Sequence, residues 1–590
     1  MLEKKMVRIG GGSAYWGDSV TGPIQLVERG EIKYLMLEYL AELTMSILVN
    51  ARKKDPELGY ATDFIVAAMR RTLKDVVTKG IRVITNAGGV NPQACARALT
   101  ALADELGVSV KIAVVEGDDV GPKLESLRAS GVREMFSGQE FPANVASASA
   151  YLGAFPIARA LDEGAQIVIT GRGVDSALAL GPLIHEFGWR DTDYDLLAAG
   201  SLAGHLLECS TQITGGLHTD WRNVPDWAGI GYPIAECEPD GSFVLTKTPE
   251  SGGLVNRLTV GEQLIYELHD PGNYALPDVM CDFTGVTLTE VGAHRVLVKG
   301  AVGKPPTRTL KVSATYADGW RCTAQRTVVG FEAVAKAERL AEEAIRRCET
   351  LNARDGLGPF TEVCAEVLGS EKSSFGSSAA GGNSREVVLR LSVKHPNRAA
   401  LRTFATEFPS FGTAGPPGFT GSGGGRASPQ PVLRLFSFLL DKSELIPTVT
   451  LPDGRRIEVP FKLHEASSGS TSINADWKPD STPLQSLDGS VKLRDLAVGR
   501  SGDKGDTSNV VLVARDPQQL ALLWSKVTPE WVRSHLGHLV KGSIERYALP
   551  GPGGMNLVLR EALGGGGMAS LRNDPLGKTL AHILLEAKLD

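Results

Sequence analysis

The chain lacks the marks that would assign several common functions outright. Its seven cysteines (95, 209, 237, 281, 322, 348 and 364) form no CxxC pair and are odd in number. That pattern suits reduced thiols and excludes a disulfide framework or a zinc ribbon. No apolar run approaches the ~18 residues of a membrane helix. The net charge is −6, with no basic tract interleaved with aromatics, so neither nucleic acid nor a membrane is expected as a partner. There is no HExxH and no EF-hand-like loop, and no metal ligand is assigned. The opening MLEKKMVRIGGG passes from charge directly into a short strand and is not read as a secretory leader. The closing AKLD is no recognised address, and a cytoplasmic protein is expected.

One missing lysine excludes a further class. In VRIGGGSAYWGDS, Gly12 and Gly17 bracket four residues and Ser19 stands where a phosphate-binding loop has Ser or Thr, but Asp18 takes the place of the Lys. Two like charges about 4 Å apart at an effective dielectric of about 20 repel by roughly 4 kcal/mol. A backbone hydrogen bond supplies only about 1 kcal/mol net, so an ATPase or GTPase reading fails. Asp18 either caps the following helix or faces a cleft as acid, base or anchor.

What is present points to an α/β protein of two or more domains, with 67 glycines gathered in turns among 590 residues. The runs MVRIGGG, GIRVITNAGGVNP, VKIAVVEGDDV and AQIVITGRGVDS each end in a glycine-rich or polar turn. Continuous β-branched runs alternating with amphipathic helices predict a mostly parallel sheet with functional loops at its carboxyl edge. Those turns would gather Asp18, Asn86, Gly88, Gly89, Asn91, Glu116, Asp118, Arg172 and Asp175 on one rim. The alternatives are local: Asn86 and Asn91 satisfying turn backbone, and Asp175 with Ser176 starting a helix. The next helix, from about Leu196 to Gln212, places His205, Glu208 and Cys209 on one face. They serve there as a buried structural group, as half of a metal site, or as an acid–base pair.

From about residue 276 the texture changes to alternating strands and long helices, a second α+β lobe ending near 470. Its Gly/Pro-rich loop, residues 412–431, offers Arg426 to an anionic group. A polar stretch from Glu465 to Ser490, centred on 471–487, reads as a linker. Residues 488–590 read as a small ferredoxin-like αβ unit, whose turn RSGDKGD carries Asp503, Lys504 and Asp506 as an anion nest or a tight hairpin.

Taken together, GGGSAYWGDS, TNAGGVNP, ITGRGVDSAL, GHLLECSTQITGG, GPPGFTGSGGGR and RSGDKGDTSN resemble the acyclic terpene utilisation (AtuA) family over nearly the whole chain. The resemblance implies a large N-terminal domain over 1–470, a ferredoxin-fold C-terminal domain, and a setting in isoprenoid acid breakdown through coenzyme A thioesters. It transfers no catalytic residue. The first expectation is a lyase or hydratase acting on a branched acyl-CoA or related acid, with Asp18, Asp175, His205 and Glu208 as proton carriers. The amides of Gly88–Gly89 and Gly171–Gly173 would hold an enolate oxygen. The second is a non-catalytic acyl-CoA-binding partner of a carboxylase or dehydrogenase, and the third a metal-dependent hydrolase at His205 and Glu208. A homo-oligomer is expected.

Overall fold

The apolar runs that end in glycine-rich turns become neighbouring strands. The computed structural model describes residues 6–376, 383–421, 425–463, 477–478 and 490–589. Strands Val7–Gly11, Tyr34–Leu37, Arg82–Thr85, Ile167–Thr170 and Ile112–Glu116 lie side by side in that order, each parallel to the next. Their unbroken apolar composition reflects burial on both faces. Along Tyr34–Leu37, Tyr34 and Met36 enter one core and Leu35 and Leu37 the opposite one.

Among the described residues the whole sheet has eleven strands and is mixed rather than mostly parallel. Pro233–Cys237, Phe243–Lys247, Arg295–Lys299 and Thr287–Gly292 continue it antiparallel beyond Val7–Gly11. Thr448–Thr450 and Arg456–Glu458 do so beyond Ile112–Glu116. Short connections such as residues 238–242 allow only antiparallel return, whereas the parallel strands are spaced by helices.

A second sheet is organised by the 21-residue strand Thr309–Val329, bulged between Ala317 and Trp320. Its first half pairs with Gln430–Asp441 and Val145–Ala150, its second half with Glu386–His395. Helices Ala333–Arg354 and Arg398–Ala414 cover the second half. The chain therefore crosses a boundary at 275/276 in both directions. Residues 287–299 and 448–458 extend the first sheet, and residues 145–150 belong to the second.

The C-terminal unit is an antiparallel sheet of Ala497–Lys504, Thr507–Ala514, Gly554–Leu559 and Ile544–Leu549, in that spatial order. Every residue of the strand TSNVVLVA is buried, because both faces are covered. Val510 and Leu512 pack under the unit's own helices, while Val511 and Val513 enter the core of the large unit, against helix Arg257–Ile265. The proposed linker, apart from Trp477, Lys478 and Ser490, lies outside the described residues. Among the described residues no helix is long and apolar enough to cross a membrane.

Candidate functional site

The glycine loop after the first strand closes on its own carboxylate. Asp18 Oδ2 accepts from the Ala14 amide (2.9 Å) and Oδ1 from the Ser19 amide (2.7 Å). Two amides of the loop are thus already taken by a carboxylate. Helix Thr21–Arg29 begins at Val20 without a side-chain cap, so Asp18 clasps the turn and does not cap the helix.

Helix Tyr194–Glu208 ends at an acid–base pair. His205 Nδ1 lies 3.0 Å from Glu208 Oε1, and its Nε2 lies 3.2 Å from the Leu264 carbonyl oxygen. A carbonyl can only accept, so Nε2 carries hydrogen. The remaining contact between Nδ1 and Oε1 then needs one further proton, on either the carboxyl or the ring. Burial raises the Glu208 pKa, against the opposing pull of His205, which keeps that proton in the pair. The neighbouring Cys209 thiol is pushed well up by burial and by the Glu208 charge, and it is not a thiolate nucleophile.

Charges from several chain segments converge around this pair. Arg172, 5 % exposed, donates from Nη1 to Asp175 Oδ1 (2.6 Å) and lies 4.4 Å from the Tyr151 ring centroid. Tyr151 donates its hydroxyl to Glu42 Oε1 (2.8 Å), and Lys311 Nζ stands 5.3 Å from the same ring. Burial works against the Glu42 charge, yet Lys311 and Arg172 hold its pKa down at about 2. Glu38, whose carboxyl takes the Leu40 amide at 2.7 Å and the Asn86 side-chain amide, is pushed well up by burial and by Asp175. Asn86 therefore positions Glu38. It also accepts from the Tyr39 amide at 2.9 Å.

Lys504 completes the chamber from the C-terminal unit. The turn RSGDKGD joins strands Ala497–Lys504 and Thr507–Ala514, and its glycines have steric reasons. A Cβ on Gly502 would lie 2.6 Å from the Tyr266 ring, and Gly505 has φ +68°. Burial disfavours the Lys504 charge, but Tyr274, Glu267 and Glu42 outweigh it and raise its pKa. Asp503, 4.0 Å from Lys578 Nζ, is raised to about 7 by burial and by Glu267. Asp506 turns inward to its own unit, accepting from the amides of Leu563 (3.1 Å) and Gly565 (2.9 Å).

An open cleft of about 530 Å³ lies beside the chamber. Gly89, Glu116 and Asp118 line it, with Arg52 and Lys53 at one side. It shares Ser147 and Ser149 with a small cavity that reaches Glu42 and Arg172. Asp118 accepts from the Arg172 amide (3.0 Å), and burial raises its pKa to about 7. Glu116 is held by Gln93 Nε2 at 2.7 Å.

Other predicted residues serve the backbone. Asn91 donates to the carbonyls of Pro56 (2.8 Å) and Leu58 (2.7 Å). The amides of Gly89 and Gly171 are bonded to Asn86 O (3.1 Å) and Val115 O (3.2 Å). They are therefore not free to hold an enolate, and Gly88 packs close under Thr170 O. Arg426 is exposed. Asp175 ends in the Arg172 ion pair, and Ser176 at the helix start makes no side-chain cap. Among the described residues no group of three or more His, Cys, Asp and Glu side chains is placed to hold a metal ion.

Sequence reasoning missed Glu38, Glu42, Tyr151, Tyr274 and Lys311. A signal for part of this set was present. VASASAY and LKVSATY both alternate hydroxyl or charged residues with apolar ones, as two strands sharing a polar face require.

Two family profiles match separate stretches of the chain. No curated protein and no solved structure matches it. The profile described as the AtuA ferredoxin-like domain matches residues 491–590. The profile described as acyclic terpene utilisation family protein AtuA matches residues 7–451, so the chain belongs to the acyclic terpene utilisation family.

Proposed function

We propose that the chain is an acid–base enzyme of the lyase or hydratase type, acting on a branched carboxylic or acyl thioester substrate seated where the two units meet. Family membership supplies the setting of acyclic terpene catabolism. The observation that carries the reading is the proton required between His205 Nδ1 and Glu208 Oε1, 3.0 Å apart, within the field of Lys504. Abstraction of a proton next to a carbonyl needs a base and a cation for the developing oxyanion. Glu208 with His205 fills the first role. Lys504, held charged, fills the second. The adjoining cleft lies within the roughly 300–1,000 Å³ typical of ligand sites, and Arg52 and Lys53 suit the anionic arm of a thioester.

Mass spectrometry of small molecules co-purifying with the native protein identifies the substrate, and Glu208→Gln then tests the role. The variant keeps shape and most hydrogen bonds but loses the ionisable group. A folded protein with turnover down about a hundredfold or more is expected. Full activity per folded molecule with reduced thermal stability would make Glu208 structural.

A further inference from the structure

We propose that Lys311 is a nucleophilic amine that captures the carbonyl carbon of an oxo-carboxylic substrate as an imine, with Lys504 holding the carboxylate and Tyr151 relaying the proton. The proposal rests on the chamber being a reaction site, and it adds a covalent step and a substrate class to that reading.

The backbone sets the geometry. Period-two alternation along Thr309–Val329 puts Lys311, Ser313 and Thr315 on one face. The neighbouring strand runs antiparallel with Ser313 opposite Ser149 and Thr315 opposite Ser147, and Tyr151 N donates to Lys311 O at 3.1 Å. Hydroxyls form a connected wall: Ser147 Oγ to Thr315 Oγ1 is 2.7 Å, Ser46 Oγ to Thr315 Oγ1 2.8 Å, and Tyr151 Oη to Ser313 Oγ 3.2 Å. Lys311 stands at the end of this wall, beside the Tyr151 ring.

The two chamber lysines stand in different fields. Among the described residues neither Nζ has a carboxylate within ion-pairing distance or a hydrogen bond. Lys311 is faced by Glu42 from helix Glu42–Lys54, Arg172 and Asp175 from the turn after Ile167–Thr170, Tyr151, and Lys504. Burial and the two cations bring its pKa to about 8, although Glu42 opposes them. Lys504 sits among Tyr274, Glu267, Glu42 and Tyr151 and is raised. Environments that push paired groups apart in this way divide their roles: Lys504 remains an ammonium suited to a carboxylate, and Lys311 supplies free amine.

The step balances. The Lys311 nitrogen pair forms a C–N bond while the carbonyl π pair moves to oxygen. One nitrogen proton passes to that oxygen through the Tyr151 hydroxyl. A proton from solvent then turns the carbinolamine hydroxyl into water, the nitrogen pair expels it as the C–O bond breaks, and the nitrogen keeps its second hydrogen in the protonated imine. The net change is amine plus carbonyl plus a proton giving iminium plus water, with no oxidant. The hydroxyl-lined cavity of about 10 Å³ between Glu42, Arg172, Ser313 and Thr315 has room for roughly one water. It abuts the open cleft at Ser147 and Ser149.

The test treats the full chain with 4-oxopentanoate and cyanoborohydride near pH 7.5, with acetone as the carboxylate-free control, and maps adducts by peptide mass. At that pH an amine of pKa about 8 has roughly a hundredfold more free base than an ordinary lysine. Capture at Lys311 about tenfold or more faster than at any other lysine is expected. The preference for 4-oxopentanoate over acetone should disappear in Lys504→Met, and Lys311→Arg should lose the fast phase. Adducts spread over exposed lysines, or fastest at Lys504, would overturn the proposal, and the wild-type map decides this even if a variant fails to fold. Absence of capture together with lost turnover in Glu208→Gln removes Lys311 alone. Capture at Lys311 with full turnover in Glu208→Gln removes only the proton-carrier reading.

Discussion

Arg500→Met measures how firmly the C-terminal unit is held. Arg500 is 3 % exposed and reaches from strand Ala497–Lys504 into the large unit. Its Nη1 donates to Gln263 Oε1 (2.8 Å) and Gln212 Oε1 (3.2 Å). Its Nη2 donates to the carbonyls of Gln212 and Gly216 (both 3.1 Å) and to Glu262 Oε2 (3.3 Å). Glu262 is fully buried, with His218 Nδ1 at 2.9 Å and Thr219 Oγ1 at 2.8 Å as its other side-chain partners. Met keeps most of the stem but leaves this carboxylate without its fixed cation. Breaking a buried pair from one side costs about 3–5 kcal/mol. With side-chain exposures of 4 % and 0 %, water offers little screening. At about 1.4 kcal/mol per decade, opening of the interface rises roughly 150- to 5,000-fold. Hydrogen exchange of the Ala497–Lys504 amides reads this directly. Adding Glu262→Gln should restore about 1–2 kcal/mol, since a neutral amide needs no cation. Acceleration of less than about tenfold in Arg500→Met would refute the docking role.

Two further outcomes follow from the same interior. In Gly204→Ala the new Cβ would lie 2.4 Å from Ser176 O and 2.6 Å from its Cα. Helix Tyr194–Glu208 must then shift, at a cost of about 1–3 kcal/mol, and an unchanged Tm would show that the contact is not tight. Asp118 is held at about 7 by burial, above an ordinary value near 3.9. Its protonated form favours the native state, a contribution present in full below about pH 4 and lost as pH rises through about 7. The Tm of the wild type relative to Asp118→Asn should therefore fall between pH 4 and 7 and level off above. A constant difference would refute the shift.

Burial on two faces made four of the five parallel strands legible, because it demands unbroken apolar runs that here end in glycine-rich or polar turns; Tyr34–Leu37, followed by EYLAE without a glycine, escaped that pattern. The mixed character of the sheet was hidden. Residues 287–299 and 448–458 fall within the stretch read as another lobe, and which free edge they join is a matter of three-dimensional proximity. In the chamber, residues placed at strand or helix ends could be found by type: Arg172, Asp175, His205 and Glu208. Glu42 was masked because an acid in the first turn of a helix already has an explanation in the helix dipole. Lys311 falls in a period-two strand pattern, which by itself puts a lysine on a solvent face. That face is interior because Val145–Ala150 leaves the first unit and pairs there, a long-range event with no local marker.

The same topology makes the ionisation of the large unit depend on the small one. Lys504 belongs to a turn whose Gly502 presses against Tyr266, so its ammonium enters the chamber only when the unit is docked. Once there it is one of the charges that lower the Lys311 pKa and oppose the rise at Glu208. Neutralising that charge with the unit still docked would raise both, because each loses the pull of one cation. Neither group therefore has a fixed reactivity of its own. The buried Arg500 network lies on the same strand as Lys504 and ties that strand to the large unit, so it holds Lys504 in register. Docking strength and chemical competence are thus two readings of one interface.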